Sequence, residues 1–296
     1  MPVISRNLVM TGLLALAIFA KSHAAEPPRT DNGKTMQVTS RDGTRIAFDR
    51  WGKGPSLIVV NGALADRSGG AELAQLLADR FTVYSYDRRG RGDSANTKPY
   101  SVEREIEDIE ALIDNAGGTA YLYGKSSGAS LALQAAAALG DKVRKLAIYE
   151  APYSEAKGAA KEWREFRVKL DGLLAADRRA DAVTVFLKFS GAPDEALEKM
   201  KASPAWSRMV AMAPTLASDI AVVGEDRSVP VVVAGRIKAT TLVMDGGASL
   251  ETLPFMRPTA DKLGKTIPGA RRQVVEGQSH DVSPKVLAPI LLSFFS

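Results

Sequence analysis

The chain has 296 residues, of which 45% are hydrophobic and 25% are charged. This composition is typical of a globular protein and excludes a disordered chain, a collagen-like chain and a bundle of membrane-spanning helices. The net charge of +5 comes from basic residues that are dispersed among acidic ones, a pattern that disfavours nucleic-acid binding. The sequence has no cysteine, which excludes disulfides, zinc–thiolate sites and a cysteine nucleophile.

Residues 1–25 predict a secretory signal peptide. Arg6 supplies the positive start, residues 8–20 form an uninterrupted, mostly apolar run, and small residues within 22–24 suit a signal peptidase. A membrane anchor is the alternative, but spanning a bilayer needs roughly 20 apolar residues. We therefore expect cleavage at the end of this segment, a periplasmic or secreted protein, and no stable membrane insertion after cleavage.

Beyond residue 25, short apolar runs of strand length alternate with longer stretches of helical periodicity. This alternation is typical of parallel βαβ units, so we expect an α/β fold with a doubly wound, mostly parallel sheet. The predicted elements in chain order are strands 34–39, 45–51 and 56–61, helix 71–79, strand 82–87, helix 102–115, strand 119–123, helix 127–139, strands 144–150 and 240–245, helix 256–263, strand 271–276 and helix 282–295.

Residues 153–236 interrupt the alternation, because they contain several helical patterns and few strand signals. We expect a helical cap here, inserted into a core formed by residues 26–152 and 237–296. Most of the large apolar side chains of this segment are expected to form its own core, although they could also line an acyl pocket. These side chains are Trp163, Phe166, Phe186, Phe189, Trp206, Met209 and Met212.

Residues 124–128 (GKSSG) form a G-x-S-x-G pentapeptide between a predicted strand and a predicted helix. In this context the serine occupies a tight strand-to-helix turn that lifts its hydroxyl above the sheet and tolerates only small residues two positions away. The positive N-terminal end of the following helix points at the same place. Ser126 is the predicted nucleophile, and Ser127 is disfavoured because Lys125 would occupy a position that needs a small residue.

Histidine is rare in this sequence, and one of its two copies, His23, belongs to the predicted signal peptide. Any serine–histidine chemistry in the mature protein must therefore use His280. This residue follows a predicted strand and precedes the last predicted helix. It also comes last in the order serine, acid, histidine that is typical of one class of serine hydrolases.

Four motifs, in this order, resemble the α/β-hydrolase family. Residues 61–63 (NGA) resemble its oxyanion loop, where histidine–glycine is commoner, and residues 87–94 (DRRGRGDS) resemble its D-x-R-G-x-G-x-S turn. Residues 124–128 resemble its nucleophile elbow, and residues 278–281 (QSHD) resemble its histidine loop. The resemblance covers most of the mature sequence and implies a catalytic triad of serine, histidine and an acid.

The position of the acid departs from the usual family pattern, L-V-x-x-G-x-x-D after the strand that follows the cap. Here this stretch is residues 242–249 (LVMDGGAS), so Ser249 stands at the acid position and Asp245 comes four residues earlier. Another branch, which includes haloalkane dehalogenases, carries a glutamate at the end of the strand after the nucleophile helix. Glu150 matches this place, so the resemblance implies Glu150 as the acid, with Asp245 as the alternative.

The chemistry implied by the resemblance is acyl transfer to Ser126, with His280 as the general base. The backbone N–H groups of Ala63 and Ser127 would form the oxyanion hole. No metal or organic cofactor is implied, and the expected partner is a small carboxylic ester or related acyl substrate. The alternatives are perhydrolysis, lactone opening or C–C bond hydrolysis by the same triad, and a binding protein without turnover on the same fold.

Overall fold

The computed structural model describes residues 35–296. The predicted signal peptide lies outside this range, so cleavage, export and the location of the mature protein remain predictions. Within residues 35–296, none of the helices combines the length and the apolar character that crossing a membrane requires.

Eight strands form one sheet in the order β1-β2-β4-β3-β5-β6-β7-β8. The first strand pairs antiparallel with the second and the second antiparallel with the fourth, whereas all other pairs are parallel. The predicted α/β fold with a mostly parallel sheet is therefore confirmed. The strands are β1 (Met36–Thr39), β2 (Arg45–Trp51), β3 (Ser56–Val60), β4 (Thr82–Tyr86), β5 (Ala120–Lys125), β6 (Val143–Tyr149), β7 (Thr240–Gly246) and β8 (Arg271–Val275).

Helices cover both faces of this sheet. Leu57 and Val59 of β3 contact the apolar cluster under the first and last helices, whereas Ile58 and Val60 join the larger cluster on the opposite face. A strand buried on both faces needs a continuous apolar run, which explains the sequence SLIVV. The core helices are α1 (Ala71–Leu77), α2 (Val102–Asn115), α3 (Ser127–Leu139), α10 (Met256–Thr266) and α11 (Pro284–Phe295).

The chain between β6 and β7 is helical. Trp163 packs against Phe166, and Phe166 stacks on Phe189 at 4.0 Å between ring centroids. Gln134 on α3 donates a hydrogen bond to the Val222 carbonyl at 2.6 Å, which ties this segment to the helix after Ser126. The helices are α4 (Ala159–Ala175), α5 (Arg179–Phe189), α6 (Asp194–Lys201), α7 (Ala205–Met212), α8 (Leu216–Val223) and α9 (Val231–Ala234).

Candidate active site

Ser126 lies at the turn between β5 and α3, with φ 56° and ψ −130°. A residue other than glycine rarely adopts a positive φ, and such strain is concentrated at functional sites. The Ser126 N–H donates to the Tyr149 carbonyl at 3.0 Å, so the turn is fastened to the end of the neighbouring strand β6. This geometry is the strained strand-to-helix turn that the pentapeptide predicts.

The two glycines of the pentapeptide are required by close backbone packing. A Cβ atom on Gly124 would lie 2.5 Å from the Gly128 carbonyl oxygen, and one on Gly128 would lie 2.1 Å from the Val60 oxygen. Real Cβ atoms essentially never come this close to another heavy atom, and the obstructing atoms belong to the backbone, which cannot rotate away as a side chain can. The turn therefore depends on glycine at both positions.

His280 follows β8 on a loop that is held at the end of β6. Its Nδ1 lies 2.7 Å from Oε2 of Glu150, at hydrogen-bond distance. Beside it, the Tyr149 hydroxyl donates to the Ser279 carbonyl at 2.6 Å. Two consecutive residues at the end of β6 thus contact the histidine loop, Tyr149 through its hydroxyl and Glu150 through its carboxylate.

Glu150 is buried, with 2% of its surface exposed, and has a positive φ of 50°. Its Oε1 accepts a hydrogen bond from the Gly246 N–H at 2.8 Å, while Oε2 faces His280. Burial alone would raise the pKa of Glu150, but His280, the nearby Ser249 hydroxyl and the Gly246 N–H together hold this pKa below its usual value. Glu150 is therefore an ionised carboxylate beside the imidazole at neutral pH.

Asp245 is also buried at the end of a strand, but its carboxylate faces a different set of side chains. Oδ2 accepts from Nε of Arg257 at 3.0 Å, and Oδ1 is paired with Arg272. These two cations balance the charge of Asp245 on the side of β7 that faces β8 and α10. Of the two acids proposed from the sequence, the structure brings Glu150 into contact with His280 and pairs Asp245 with arginines.

A cavity lies between the strand ends and the helices that connect β6 to β7. Ser126 and His280 border it, together with Asp219 and Arg227 from the helical segment. Its apolar wall includes three of the seven cap side chains named from the sequence, Trp163, Phe186 and Phe189. The other four pack in or against the apolar core: Phe166, Trp206, Met209 and Met212. No cluster of three or more potential metal ligands occurs within residues 35–296.

The loop after β3 is positioned by Arg91. Its Nη1 donates to the Gly62 carbonyl at 2.6 Å and to the Ala65 carbonyl at 3.1 Å. Because a trans peptide is planar, holding the Gly62 carbonyl makes the Ala63 N–H point in the opposite direction. Gly62 lies against the nucleophile, since a Cβ atom built on it would come 3.1 Å from Ser126 Cβ. One arginine thus fixes the peptide that precedes Ala63 beside Ser126.

Asp219 on α8 holds Arg91 in place and connects it to the nucleophile turn. Arg91 donates to both oxygens of Asp219 at 2.7 Å, and Arg88 donates to Oδ1 at the same distance. The Ser127 hydroxyl also donates to this oxygen at 2.7 Å. Burial alone would raise the pKa of Asp219, but Arg91 and Arg88 lower it below its usual value.

This buried network was not recognised from the sequence, in which residues 87–94 resemble a turn of the family but do not reveal the partners of their arginines. Arg88, Arg89 and Arg91 are almost fully buried, and each is paired with carboxylates from other elements. The one available signal was Asp219 itself, because an acidic residue within the apolar helix LASDIAVV needs a buried partner. Neither Asp219 nor Arg227 was selected as a site residue.

Comparison with known proteins agrees with this architecture. The sequence model of the alpha/beta hydrolase family matches residues 57–289. The chain belongs to this family. An α/β hydrolase from Sphaerobacter thermophilus has 47% identity and a TM-score of 0.80, over 88% of this chain and 100% of the other. The enol-lactonase of Burkholderia xenovorans, at 22% identity and a TM-score of 0.64 over 88% of this chain and 99% of the other, shares the fold.

Two curated relatives of this α/β hydrolase are also named as hydrolases. The 2-(acetamidomethylene)succinate hydrolase of Mesorhizobium japonicum is 29% identical over 259 residues, which is 82% of this chain and 88% of that protein. An uncharacterized hydrolase of Bacillus subtilis is 36% identical over 108 residues, covering 35% of this chain and 39% of that protein. The family and these relatives support a hydrolase that acts on a small molecule.

Proposed function

We propose that this protein is a serine hydrolase that cleaves a small carboxylic ester or a related acyl compound, with Ser126, His280 and Glu150 as its triad. The observation that carries the proposal is the 2.7 Å contact between His280 Nδ1 and the buried Glu150 carboxylate, at a cavity that Ser126 also borders. The strained conformation of Ser126 at the nucleophile turn supports the same assignment. The named activity of the Mesorhizobium relative on a succinate derivative agrees with a small substrate.

In the proposed mechanism, Ser126 Oγ attacks the carbonyl carbon of the substrate while His280 Nε2 removes the hydroxyl proton. Glu150 accepts the hydrogen bond from Nδ1, which sets the tautomer of the ring and stabilises the imidazolium that forms. His280 then protonates the leaving group, and an acyl-enzyme remains on Ser126. Water, activated by the same histidine, releases the acid product and regenerates the serine.

The proposed oxyanion hole consists of the backbone N–H groups of Ala63 and Ser127. The N–H of Ser127 lies in the first turn of α3, where the partial positive charge of the helix also favours a developing oxyanion. The Ala63 N–H is oriented through the Gly62 carbonyl that Arg91 holds. Arg91 is therefore a positioning residue that acts on the oxyanion through the backbone.

Arg91→Lys is expected to lower kcat by about 10- to 100-fold with little change in KM. Removing one oxyanion donor lowers kcat by roughly 10²- to 10³-fold. A lysine cannot bind both Asp219 and the loop carbonyls, so the Ala63 N–H should remain present but point in a less favourable direction. Arg89→Lys is the matched control, because Arg89 is equally buried and paired with Asp108 and Asp42. Steady-state kinetics and thermal denaturation of both variants separate an effect on oxyanion positioning from an effect on stability. Equal losses of kcat in the two variants would indicate that the role of Arg91 is merely structural.

The proposal is tested by labelling with a fluorophosphonate, followed by kinetics on a panel of esters and lactones. Labelling at a single site, located by mass spectrometry at Ser126, is expected because only an activated serine reacts with this reagent. Hydrolysis of small esters should then exceed lactone opening and perhydrolysis with peroxide as the acceptor. Absence of both labelling and turnover would favour a binding protein on the same fold.

We also propose that the mature protein acts outside the cytoplasm, in the periplasm or as a secreted enzyme. This part of the proposal rests on residues 1–25 of the sequence, with their positive start and apolar run. It is independent of the triad.

A further inference from the structure

Arg227 is a buried cation at the wall of the active-site cavity. It lies in the loop between α8 and α9, with 8% of its surface exposed. Ser126 and His280 border the same cavity. Among the residues that line this cavity, Arg227 is the only lysine or arginine. A guanidinium in this position faces the space in which a substrate must lie.

The contacts of Arg227 leave its outer nitrogens without an acidic partner. Its Nε donates to the Pro152 carbonyl at 2.6 Å. Its guanidinium carbon lies 4.2 Å from the ring centre of Phe255, 5.2 Å from that of Phe189 and 5.6 Å from that of Trp163. Within residues 35–296, Nη1 and Nη2 have neither a hydrogen-bond partner nor an ion pair. The rings stabilise a positive charge but provide no acceptor atoms.

The other buried arginines near the site differ in this respect. Arg88 is paired with Glu105 and Asp219, and Arg91 with Asp219. Burial lowers the pKa of Arg227 to about 10, and the negative charge of Glu162 opposes this shift. The side chain therefore remains protonated at neutral pH, although it is placed where a charge is costly unless it is paired.

The backbone of Arg227 has a positive φ, as do those of Ser126 and Glu150. Five residues other than glycine have a positive φ within residues 35–296, and Arg227 is one of them, with φ 62°. Three of the others are Ser126, Glu150 and Leu64, the residue next to Ala63. Strained conformations persist where the surrounding structure fixes them for function. The fifth, Asp177, is an exposed turn residue, so the positive φ of Arg227 is consistent with a functional position but the contacts of its side chain carry the argument.

We propose that Arg227 binds a carboxylate of the substrate, so that the compound hydrolysed at Ser126 is a compact ester or related acyl compound that also carries a free carboxylate. This inference deepens the proposed function and rests on it. The two outer nitrogens of a guanidinium match the two oxygens of a carboxylate, and the apolar walls strengthen this pairing by excluding water. The aromatic rings would then surround the chain between the carboxylate and the reacting carbonyl.

A carboxylate fits the charge of the cavity better than a phosphate does. One guanidinium balances a single negative charge, whereas a phosphate dianion would leave excess negative charge among Trp163, Phe189 and Phe255. Asp219 is the only acidic residue that lines the cavity, and its charge is balanced by Arg88 and Arg91. It therefore does not cancel the charge of Arg227.

The first test compares 4-nitrophenyl hydrogen glutarate, which carries a free carboxylate, with its methyl ester, in which that carboxylate is neutralised. Release of 4-nitrophenol measures the hydrolysis of both. The wild-type protein should prefer the charged substrate in kcat/KM by about tenfold or more. Arg227→Met keeps an apolar chain of similar length, and it should lower this preference by about tenfold or more, to near unity, mainly through KM. Arg227→Lys should give an intermediate value, because a lysine keeps the charge but loses the bidentate geometry.

The control variant is Arg167→Met, since Arg167 is a half-buried arginine that does not line the cavity and, within residues 35–296, donates only to the Glu225 carbonyl. Its preference should equal that of the wild type. Thermal denaturation of each variant reports on folding, and the ratio between the two substrates is insensitive to the amount of folded protein. A ratio that Arg227→Met leaves unchanged would overturn the proposal, as would a wild-type preference for the neutral ester.

A binding measurement separates this inference from the proposed catalysis. Calorimetry on Ser126→Ala compares monomethyl glutarate with dimethyl glutarate, and the charged compound should bind about tenfold or more tightly. The preference should disappear in the variant that carries both Ser126→Ala and Arg227→Met. If the wild type hydrolysed no ester but this preference remained, the proposed function would fail while the carboxylate site stood. Equal binding of both compounds would contradict the proposed carboxylate site at Arg227.

Discussion

Ser126→Ala is expected to lower kcat by a factor on the order of 10⁶, the scale seen when a serine nucleophile is removed from a catalytic triad. Ser127→Ala should reduce kcat by no more than about tenfold, because the proposed contribution of Ser127 is its backbone N–H, which alanine keeps. The Ser127 hydroxyl donates to Asp219, but Arg88 and Arg91 continue to balance this carboxylate after the substitution. Steady-state kinetics on a small ester measures both variants.

The two serine variants control for each other. Each removes one hydroxyl from adjacent positions at the start of α3, so general damage to the turn should affect both. Circular dichroism and the melting temperature should show both proteins folded, and fluorophosphonate should label Ser127→Ala but not Ser126→Ala. Equal losses of activity in two folded variants would show that the nucleophile is misassigned.

Glu150→Gln should lower kcat by a factor on the order of 10³ or more. The amide oxygen of glutamine can keep the hydrogen bond from the Gly246 N–H, which leaves the NH₂ group facing His280 Nδ1. The ring must then accept at Nδ1 and carry its proton on Nε2, the nitrogen that has to accept the proton of Ser126. The variant therefore loses both the correct tautomer and the charge that stabilises the imidazolium.

Asp245→Asn is the matched comparison, because Asp245 is also a buried carboxylate at the end of a neighbouring strand. We expect its kcat to stay within about tenfold of the wild type and the main effect to be a loss of stability. The substitution removes the carboxylate charge beside Arg257 and leaves Arg272 paired with Asp261 alone. Kinetics and thermal denaturation of the two single variants and the double variant decide between the acids. If Asp245→Asn lowered kcat strongly and Glu150→Gln lowered it only slightly, the assignment of Glu150 as the acid would be contradicted.

The sequence was sufficient for the fold and for two of the three proposed triad positions. Strands such as β3 are buried on both faces, so their continuous apolar runs identify them without knowledge of their neighbours. Helices α2 and α3 begin and end at the predicted residues, because their periodicity and flanking residues are local signals. Ser126 was identified by its flanking glycines, and His280 by the lack of any other histidine after residue 25. Each of these properties is encoded over a short stretch of chain.

The tertiary structure decided which carboxylate meets His280 and which cations are paired. Tyr149 and Met244 lie opposite each other in the sheet, so the residues that follow them, Glu150 and Asp245, lie near the ends of adjacent strands. No local signal separates the two acids, and only the family resemblance favoured Glu150. The positive φ of Glu150 turns its backbone away from the regular strand, and its side chain meets the histidine loop while Asp245 faces arginines. Arg227 likewise gave no local signal. Its significance depends on which distant residues surround it, and only the folded chain brings them together.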